Sequence, residues 1–159
     1  MPTVELCDPR EWLSKPLVFD LAAIRERLPH RHEMELLHGV VHLDEARRFA
    51  IGVHHARPTD FWVRGHIPGR PIMPGVVMIE ISAQLCAWLG TFSIAAEPGK
   101  FMGFGGVDRA RFRGQVKPGD TLLVATRMQK LRRNLGTFVC QSWVGSDLVF
   151  DGEILGVVV

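Results

Sequence analysis

Three polar residues in the middle of the chain have types and spacings suited to acid–base chemistry. Glu80 interrupts an otherwise apolar run, Gln84 follows it by about one helical turn, and His66 precedes it in a loop. Burial raises the pKa of a carboxyl group, so a carboxyl in such a run can stay protonated and act as a general acid. Imidazole titrates near neutrality and is the usual general base. We therefore expect His66 and Glu80 to act as base and acid, with Gln84 fixing the carboxyl group through a hydrogen bond.

The loop that carries His66 is rich in Pro and Gly and ends at Gly75, where the apolar run begins. A helix starting at Gly75 would present free backbone N–H groups and the positive end of its dipole, which can polarise a carbonyl oxygen. Glycine would also let a substrate approach the backbone closely. A simpler interpretation stays open. Glu80 could pair with an arginine such as Arg64 or Arg70, and His66 could be an ordinary polar loop residue.

The apolar run from Gly75 to about Leu89 predicts a helix that stops near Gly90. About 15 residues is too long for an ordinary strand, and Gly is a common helix terminator. Apolar residues occupy nearly every face of this helix. A helix that is apolar all round must be buried all round, so the strands of this small domain have to wrap it.

Strand patterns occupy most of the remaining chain. A hairpin is predicted from residues 39–44 and 47–55, and Asp20 is a plausible N-cap for a short helix that ends before Pro29. Five further strands are predicted, at residues 100–107, 109–116, 120–130, 136–144 and 148–159. Together these segments predict an α+β architecture in which one antiparallel sheet curls around a central helix.

Composition narrows the class of protein. The chain has 159 residues, 47% hydrophobic and 23% charged, which is typical of one globular domain. A net charge of +2 argues against general binding of nucleic acid. The three cysteines are far apart, the histidines outside the loop are scattered, and neither a disulfide framework nor a metal site is expected. With no signal-peptide pattern and no apolar run of membrane-spanning length, we expect a cytoplasmic protein.

The segment GHIPGRPIMPGVVMIEISAQ, residues 65–84, strongly resembles the active-site segment of the FabZ-type 3-hydroxyacyl-acyl-carrier-protein dehydratases, G-H-F-P-G-x-P-x-M-P-G-V-x-x-x-E-x-x-A-Q. LPHR at residues 28–31 and GVDRARFRGQVKPGDTLLV at 106–124 resemble other stretches of that family. The related FabA type carries Asp where this chain has Glu80. The resemblance covers roughly residues 20–159 and implies a single hotdog-fold domain, with residues 1–19 as an irregular N-terminal arm.

The resemblance implies that a 3-hydroxyacyl thioester, carried by acyl carrier protein or CoA, loses water to give a trans-2-enoyl thioester. No metal or redox cofactor is needed for this elimination. His66 would take the α-proton, Glu80 would protonate the departing hydroxyl group, and the Gly75 N–H would hold the thioester carbonyl. Pro74, Val76 and Gln84 are the supporting residues. The resemblance also implies a homodimer, which could assemble further into a trimer of dimers, with His66 and Glu80 of each site coming from different protomers.

Two features keep other interpretations open. Residues 32–40, HEMELLHGV, replace the family's Y-P-F-L-L-V-D-R-V, which puts the acyl tunnel and the substrate in question. The alternatives are a thioesterase of the same fold, a specialised polyketide or lipid dehydratase, and a non-catalytic acyl-binding subunit. Lys130, Arg132 and Arg133 form a basic stretch before a turn, where they could either dock an acidic carrier protein or simply be solvated.

Overall fold

The computed structural model describes residues 4–93 and 99–159. These ranges contain two α-helices, two short 3-10 helices (Pro9–Glu11 and His32–Met34) and six strands. The helices are α1, Leu21–Arg25, and α2, Gly75–Gly90. The strands are β1, Gly39–Asp44; β2, Phe49–His55; β3, Met102–Phe112; β4, Thr121–Arg132; β5, Leu135–Val144; and β6, Asp147–Val158.

The six strands form one antiparallel sheet in the order β1-β2-β4-β5-β6-β3, with α2 packed against one face. This arrangement confirms the predicted hotdog fold. The predicted division of β3 into strands 100–107 and 109–116 was wrong. Two bulges, next to Phe104 and within Asp108–Arg111, absorb the irregular sequence while β3 stays paired with β6. Arg109, at the second bulge, has a φ of 52°.

The side chain of Asp20 caps α1 by accepting a hydrogen bond from the backbone N–H of Ala23 at 3.0 Å, as expected from the sequence. The helix ends at Arg25, earlier than the predicted stop before Pro29. The long helix α2 runs from Gly75 to Gly90, in agreement with its predicted range. No helix within the described ranges is long and apolar enough to cross a bilayer.

The main core lies between α2 and the sheet. Leu85, Trp88 and Leu89 of α2 are completely or almost completely buried, and they belong to one cluster with Leu122 of β4 and Phe138 of β5. The prediction that α2 is buried on every face was wrong on one face. The side chain of Val76 is 70% exposed and that of Ile79 is only partly buried. Within the described chain, one face of the first turns of α2 is therefore left uncovered, while Val77 and Met78 of the same turns are buried.

A second hydrophobic cluster lies on the opposite face of the sheet. Its buried members alternate along the strands with those of the main core, so the adjacent residues Leu122 and Leu123 serve different clusters. Leu6 and Trp12 of the N-terminal arm pack against this second cluster. The side-chain amide of Gln141 secures the arm by bonding the backbone N–H of Leu6 and the backbone carbonyl of Val4. The middle of the sheet is thus covered on both faces.

Candidate active site

Glu80 lines a cavity of about 150 Å³ between α2 and the β3–β6 edge of the sheet. The α2 side of the cavity contains small or polar side chains, and the sheet side contains Met102, Phe104 and Gly156. The Glu80 side chain is 31% exposed, so the carboxyl group is at the cavity surface and not sealed in the core. Neither Arg64 nor Arg70 forms an ion pair with it in the described structure. Its contacts are to Gln84 and His30.

Gln84 holds the Glu80 carboxyl group in place. The side-chain N–H₂ of Gln84 donates to Glu80 Oε1 at 2.8 Å and to the backbone carbonyl of Met34 at 2.9 Å. Gln84 Oε1 accepts from the backbone N–H groups of Leu36 and Leu37 at 3.2 and 3.1 Å. Because two backbone donors fix the carbonyl end of the amide, its N–H₂ end must face Glu80. The predicted hydrogen bond between Gln84 and Glu80 is therefore present.

His30 also belongs to this cavity, although no spacing pattern in the sequence points to it. It lies in the LPHR segment, lines the same cavity as Glu80, and places Nε2 3.6 Å from Glu80 Oε1. The only sequence signal for His30 is that LPHR resembles a segment of the family, and this resemblance implied no role for the histidine. The two residues are far apart in sequence, so no helical or strand periodicity could have brought them together.

His66 is partly buried in the loop that precedes α2. Its backbone N–H donates to the carbonyl of Trp62 at 2.8 Å, and Nδ1 lies 2.7 Å from the carbonyl of Ile72. Since a carbonyl can only accept, the hydrogen of the neutral ring is on Nδ1 and Nε2 keeps a free lone pair. The loop thus orients His66 so that Nε2 is the basic atom.

Gly75 is the first residue of α2, directly after Pro74. A Cβ atom at Gly75 would lie 2.8 Å from the ring of Phe112, closer than ordinary packing allows, so the ring occupies the space that a side chain would need. The Gly75 N–H has no hydrogen-bond partner among the described residues and is available to an external acceptor. Val76, which follows, projects into solvent.

The described chain does not bring His66 and Glu80 together. His66 is absent from the residues that line the Glu80 cavity, and the structure records no contact between the two side chains. A general base and a general acid must both reach one substrate, and the described residues of one chain alone do not form that arrangement.

Buried His54 lies between the segment that holds Gln84 and the loop that leads to His66. His54, on β2, places Nδ1 2.7 Å from the carbonyl of Leu36, whose N–H binds Gln84. His54 Nε2 lies 3.6 Å from a carboxylate oxygen of Asp60, in the loop that leads to His66. His38 stacks on His54 with ring centroids 4.5 Å apart. Burial, followed by the charge of His54, lowers the pKa of His38 to about 4.

The basic residues Lys130, Arg132 and Arg133 are exposed at the β4–β5 turn. Arg132 on β4 pairs with Leu135 on β5, which pairs with Val157 on β6. Val157 in turn pairs with Gly103 on β3, and Gly103 lines the cavity. Three strand spacings separate Arg132 from Gly103, or about 14 Å. The turn is therefore at the same end of the sheet as the Gly103 part of the cavity.

In the parts of the chain that the structure describes, no three His, Cys, Asp or Glu residues are grouped as metal ligands.

Comparison with known proteins agrees with this arrangement of elements. A family model described as a FabA-like domain matches residues 28–153. The chain is 36% identical over 138 residues to the 3-hydroxyacyl-[acyl-carrier-protein] dehydratase FabZ of Desulforamulus reducens, covering 87% of this chain and 96% of that protein. It is 38% identical over 136 residues to the protein of the same name from Moorella thermoacetica, covering 86% and 94% of the two chains.

Solved structures share the fold at low sequence identity. The dehydratase heterocomplex ApeI:P from Xenorhabdus doucetiae superposes with a TM-score of 0.68 at 15% identity, covering 84% of this chain and 89% of that chain. A thioesterase from Haemophilus influenzae superposes with a TM-score of 0.58 at 13% identity, covering 76% and 77%. These structures show the fold alone, whereas the sequence matches show the family. The chain belongs to the FabA-like family and, within it, groups with the FabZ dehydratases.

Proposed function

We propose that this protein removes water from a 3-hydroxyacyl thioester, carried by acyl carrier protein, to give a trans-2-enoyl thioester in fatty-acid synthesis. The single observation that carries the proposal is the fixed carboxyl group. Gln84 holds Oε1 of Glu80 at the wall of a cavity, while Oε2 has no hydrogen-bond partner among the described residues. A carboxyl group held in this way can deliver a proton to a leaving hydroxyl group.

The site residues divide the elimination between them. His66 Nε2 takes the proton from the α-carbon, and the electron pair of that C–H bond forms the new double bond. The C–O bond at the β-carbon breaks as Glu80 transfers its proton to the departing hydroxyl group, which leaves as water. The Gly75 N–H, at the positive end of α2, stabilises the negative charge that develops on the thioester oxygen. Exchange with solvent then returns His66 and Glu80 to their starting protonation states.

The complete site requires two protomers, with His66 from one and Glu80 from the other. Support comes from the uncovered apolar surface near α2 and along β3, which is an edge strand of the sheet. Val76 is 70% exposed, and Phe101, Phe104 and Phe112 are each about half exposed. A second copy placed across a two-fold axis would cover these side chains and pair the β3 edges. Such dimers could assemble further into a trimer of dimers.

We also propose where the carrier protein binds and where in the cell the enzyme works. Lys130, Arg132 and Arg133 dock an acidic carrier protein at the end of the sheet where the cavity lies, and the enzyme works in the cytoplasm. Residues 32–40 differ from the family's sequence, yet Gln84 still binds Glu80. The reason is that backbone groups of Met34, Leu36 and Leu37 hold Gln84, whatever their side chains. This observation disfavours a non-catalytic acyl-binding subunit.

The test is to incubate the purified protein with 3-hydroxyacyl thioesters of several chain lengths, on carrier protein and on CoA, and to identify products by mass. We expect an enoyl thioester that is lighter by one water, and loss of at least about 10²-fold in rate for His66→Ala and Glu80→Gln. Release of free acid and free thiol would instead identify a thioesterase. Binding of acyl thioester without any product would identify a non-catalytic subunit.

A further inference from the structure

His30 faces the carboxyl group of Glu80 from outside α2. Its Nε2 lies 3.6 Å from Glu80 Oε1, the same oxygen that accepts the hydrogen bond from Gln84. Gln84 and His30 therefore both approach Oε1 of the carboxyl group, and Oε2 has no hydrogen-bond partner in the described structure. This asymmetry is a property of the site that neither His66 nor Gly75 explains.

The burial of Nδ1 favours one tautomer of the neutral His30 ring. Nδ1 is fully buried and has no hydrogen-bond partner among the described residues. A hydrogen on Nδ1 would be an unsatisfied buried donor, whereas a lone pair there costs less, so the neutral ring with its hydrogen on Nε2 fits best. Nε2, which carries that hydrogen in this form, lies 3.6 Å from Glu80 Oε1. A neutral partner is also the one that Glu80 needs, because a cation beside it would favour the carboxylate over the acid.

The backbone that carries His30 is fixed independently of the substrate. The guanidinium group of Arg31 donates to the carbonyls of Leu28 and His30 at 2.9 and 2.6 Å. Leu28 is buried in the main core. The hydrogen bonds of Arg31 and the burial of Leu28 thus fix the backbone on both sides of His30.

We propose that His30 is a positioning residue that, together with Gln84, reserves Oε1 of Glu80 as a hydrogen-bond acceptor and so makes Oε2 the oxygen that delivers the proton. This inference rests on the proposed dehydration and deepens it. A separation of 3.6 Å is longer than a hydrogen bond, and catalytic hydrogen bonds of ligand-free enzymes commonly tighten when substrate fills the site. Substrate binding in the cavity would press His30 toward Glu80.

Two substitutions separate the N–H donor from the bulk of the ring. His30→Leu keeps volume and removes the donor, whereas His30→Gln keeps an N–H near the position of Nε2. With a short-chain 3-hydroxyacyl carrier protein as substrate, we expect His30→Leu to lower kcat about tenfold with KM within about twofold, and His30→Gln to stay within about threefold of wild type. His42→Leu is the matched control, since His42 packs with Trp12 on the opposite face of the sheet and should leave kcat unchanged.

A second measurement does not depend on turnover. The ¹³C resonance of the Glu80 carboxyl group, identified by its loss in Glu80→Gln, should shift in His30→Leu and return close to the wild-type position in His30→Gln. An unchanged resonance in both variants, an equal loss of kcat in the Leu and Gln variants, or a rise in KM alone would each overturn the positioning role. If wild type has no dehydratase activity, the proposed function fails, and the resonance still decides whether His30 holds Glu80.

Discussion

The side-chain amide of Gln84 bonds four groups at once, and one of them is the Glu80 carboxyl group at 2.8 Å. The remaining three are backbone groups of residues 34–37, which lie outside α2. The position of the proposed acid is therefore set by a segment distant in sequence, as well as by the helix that carries it. Substitution of Gln84 therefore tests how precisely Glu80 must be held for catalysis.

Replacing Gln84 with Leu should damage both stability and catalysis. The backbone N–H groups of Leu36 and Leu37 would lose their acceptor, which destabilises the fold by about 1–3 kcal/mol. Loss of the hydrogen bond to Glu80 should lower kcat at least about tenfold. Gln141→Leu is a matched control, because Gln141 is equally buried and also bonds backbone groups, but on the opposite face of the sheet. Its melting temperature should fall without a change in kcat, and an equal kinetic defect in both variants would show that stability alone matters.

Gly75→Ala should disturb the start of α2 through Phe112. The new Cβ would lie within about 3 Å of three ring atoms, so either the ring or the helix start has to move. Because the ring is about half exposed, we expect only a small loss in the free energy of unfolding. The loss of kcat should be marked, because the disturbed helix start carries the Gly75 N–H. Phe112→Ala removes the obstacle, so Gly75→Ala should cost less activity in a Phe112→Ala background than it costs in the wild type. A double variant that is merely the sum of its parts would mean that the ring does not transmit the effect.

Acid should destabilise the fold through His38. An unfolded chain binds a proton at this residue near pH 6.5, whereas the pKa of half-buried His38 is about 4 in the folded chain, so stability should fall as the pH drops through that window. His54, His55 and Arg57 oppose the charge on His38 and Asp60 favours it. His38→Asn keeps an acceptor for the N–H of His55, which Nδ1 accepts at 2.9 Å, but cannot titrate. Melting temperatures should therefore decline less steeply with acid in this variant than in wild type, and equal slopes would exclude His38 as the cause.

Reversing the charges at the β4–β5 turn should affect carrier-linked substrates more than CoA-linked ones. With Arg132→Glu and Arg133→Glu together, we expect weaker use of acyl carrier protein and a rate that is less sensitive to salt. The β1–β2 turn offers a matched control, because Arg47 and Arg48 are also exposed and Arg48 shares the positive φ of Arg133. Equal effects on both substrates, or equal effects of the two reversals, would leave the β4–β5 turn as a solvated surface.

The sequence predicted those features that depend on local pattern. The range of α2 followed from its length and composition, and the resemblance carried by residues 65–84 identified the family. The exposure of Val76 was not predictable, since a periodic pattern cannot tell whether an apolar face is covered by the same chain or by another. The single strand β3 was missed because its bulges look like a break in the pattern. His30 was missed because its contact with Glu80 depends on the path of the whole chain.

In the proposed mechanism, each site is shared between two protomers. His66→Ala and Glu80→Gln homodimers should each be inactive, because every site carries a lesion. In a mixed dimer, both lesions fall in one site and the other site is intact. Random exchange makes about half of the dimers mixed, so about a quarter of all sites should recover.

The decisive measurement is to unfold and refold the two variants together, confirm subunit exchange by mass, and compare the dehydration rate with that of each variant refolded alone. We expect activity to return to about a quarter of the wild-type rate. Confirmed exchange with no return of activity would contradict the shared site, because Glu80 would then have to work with the His66 of its own protomer.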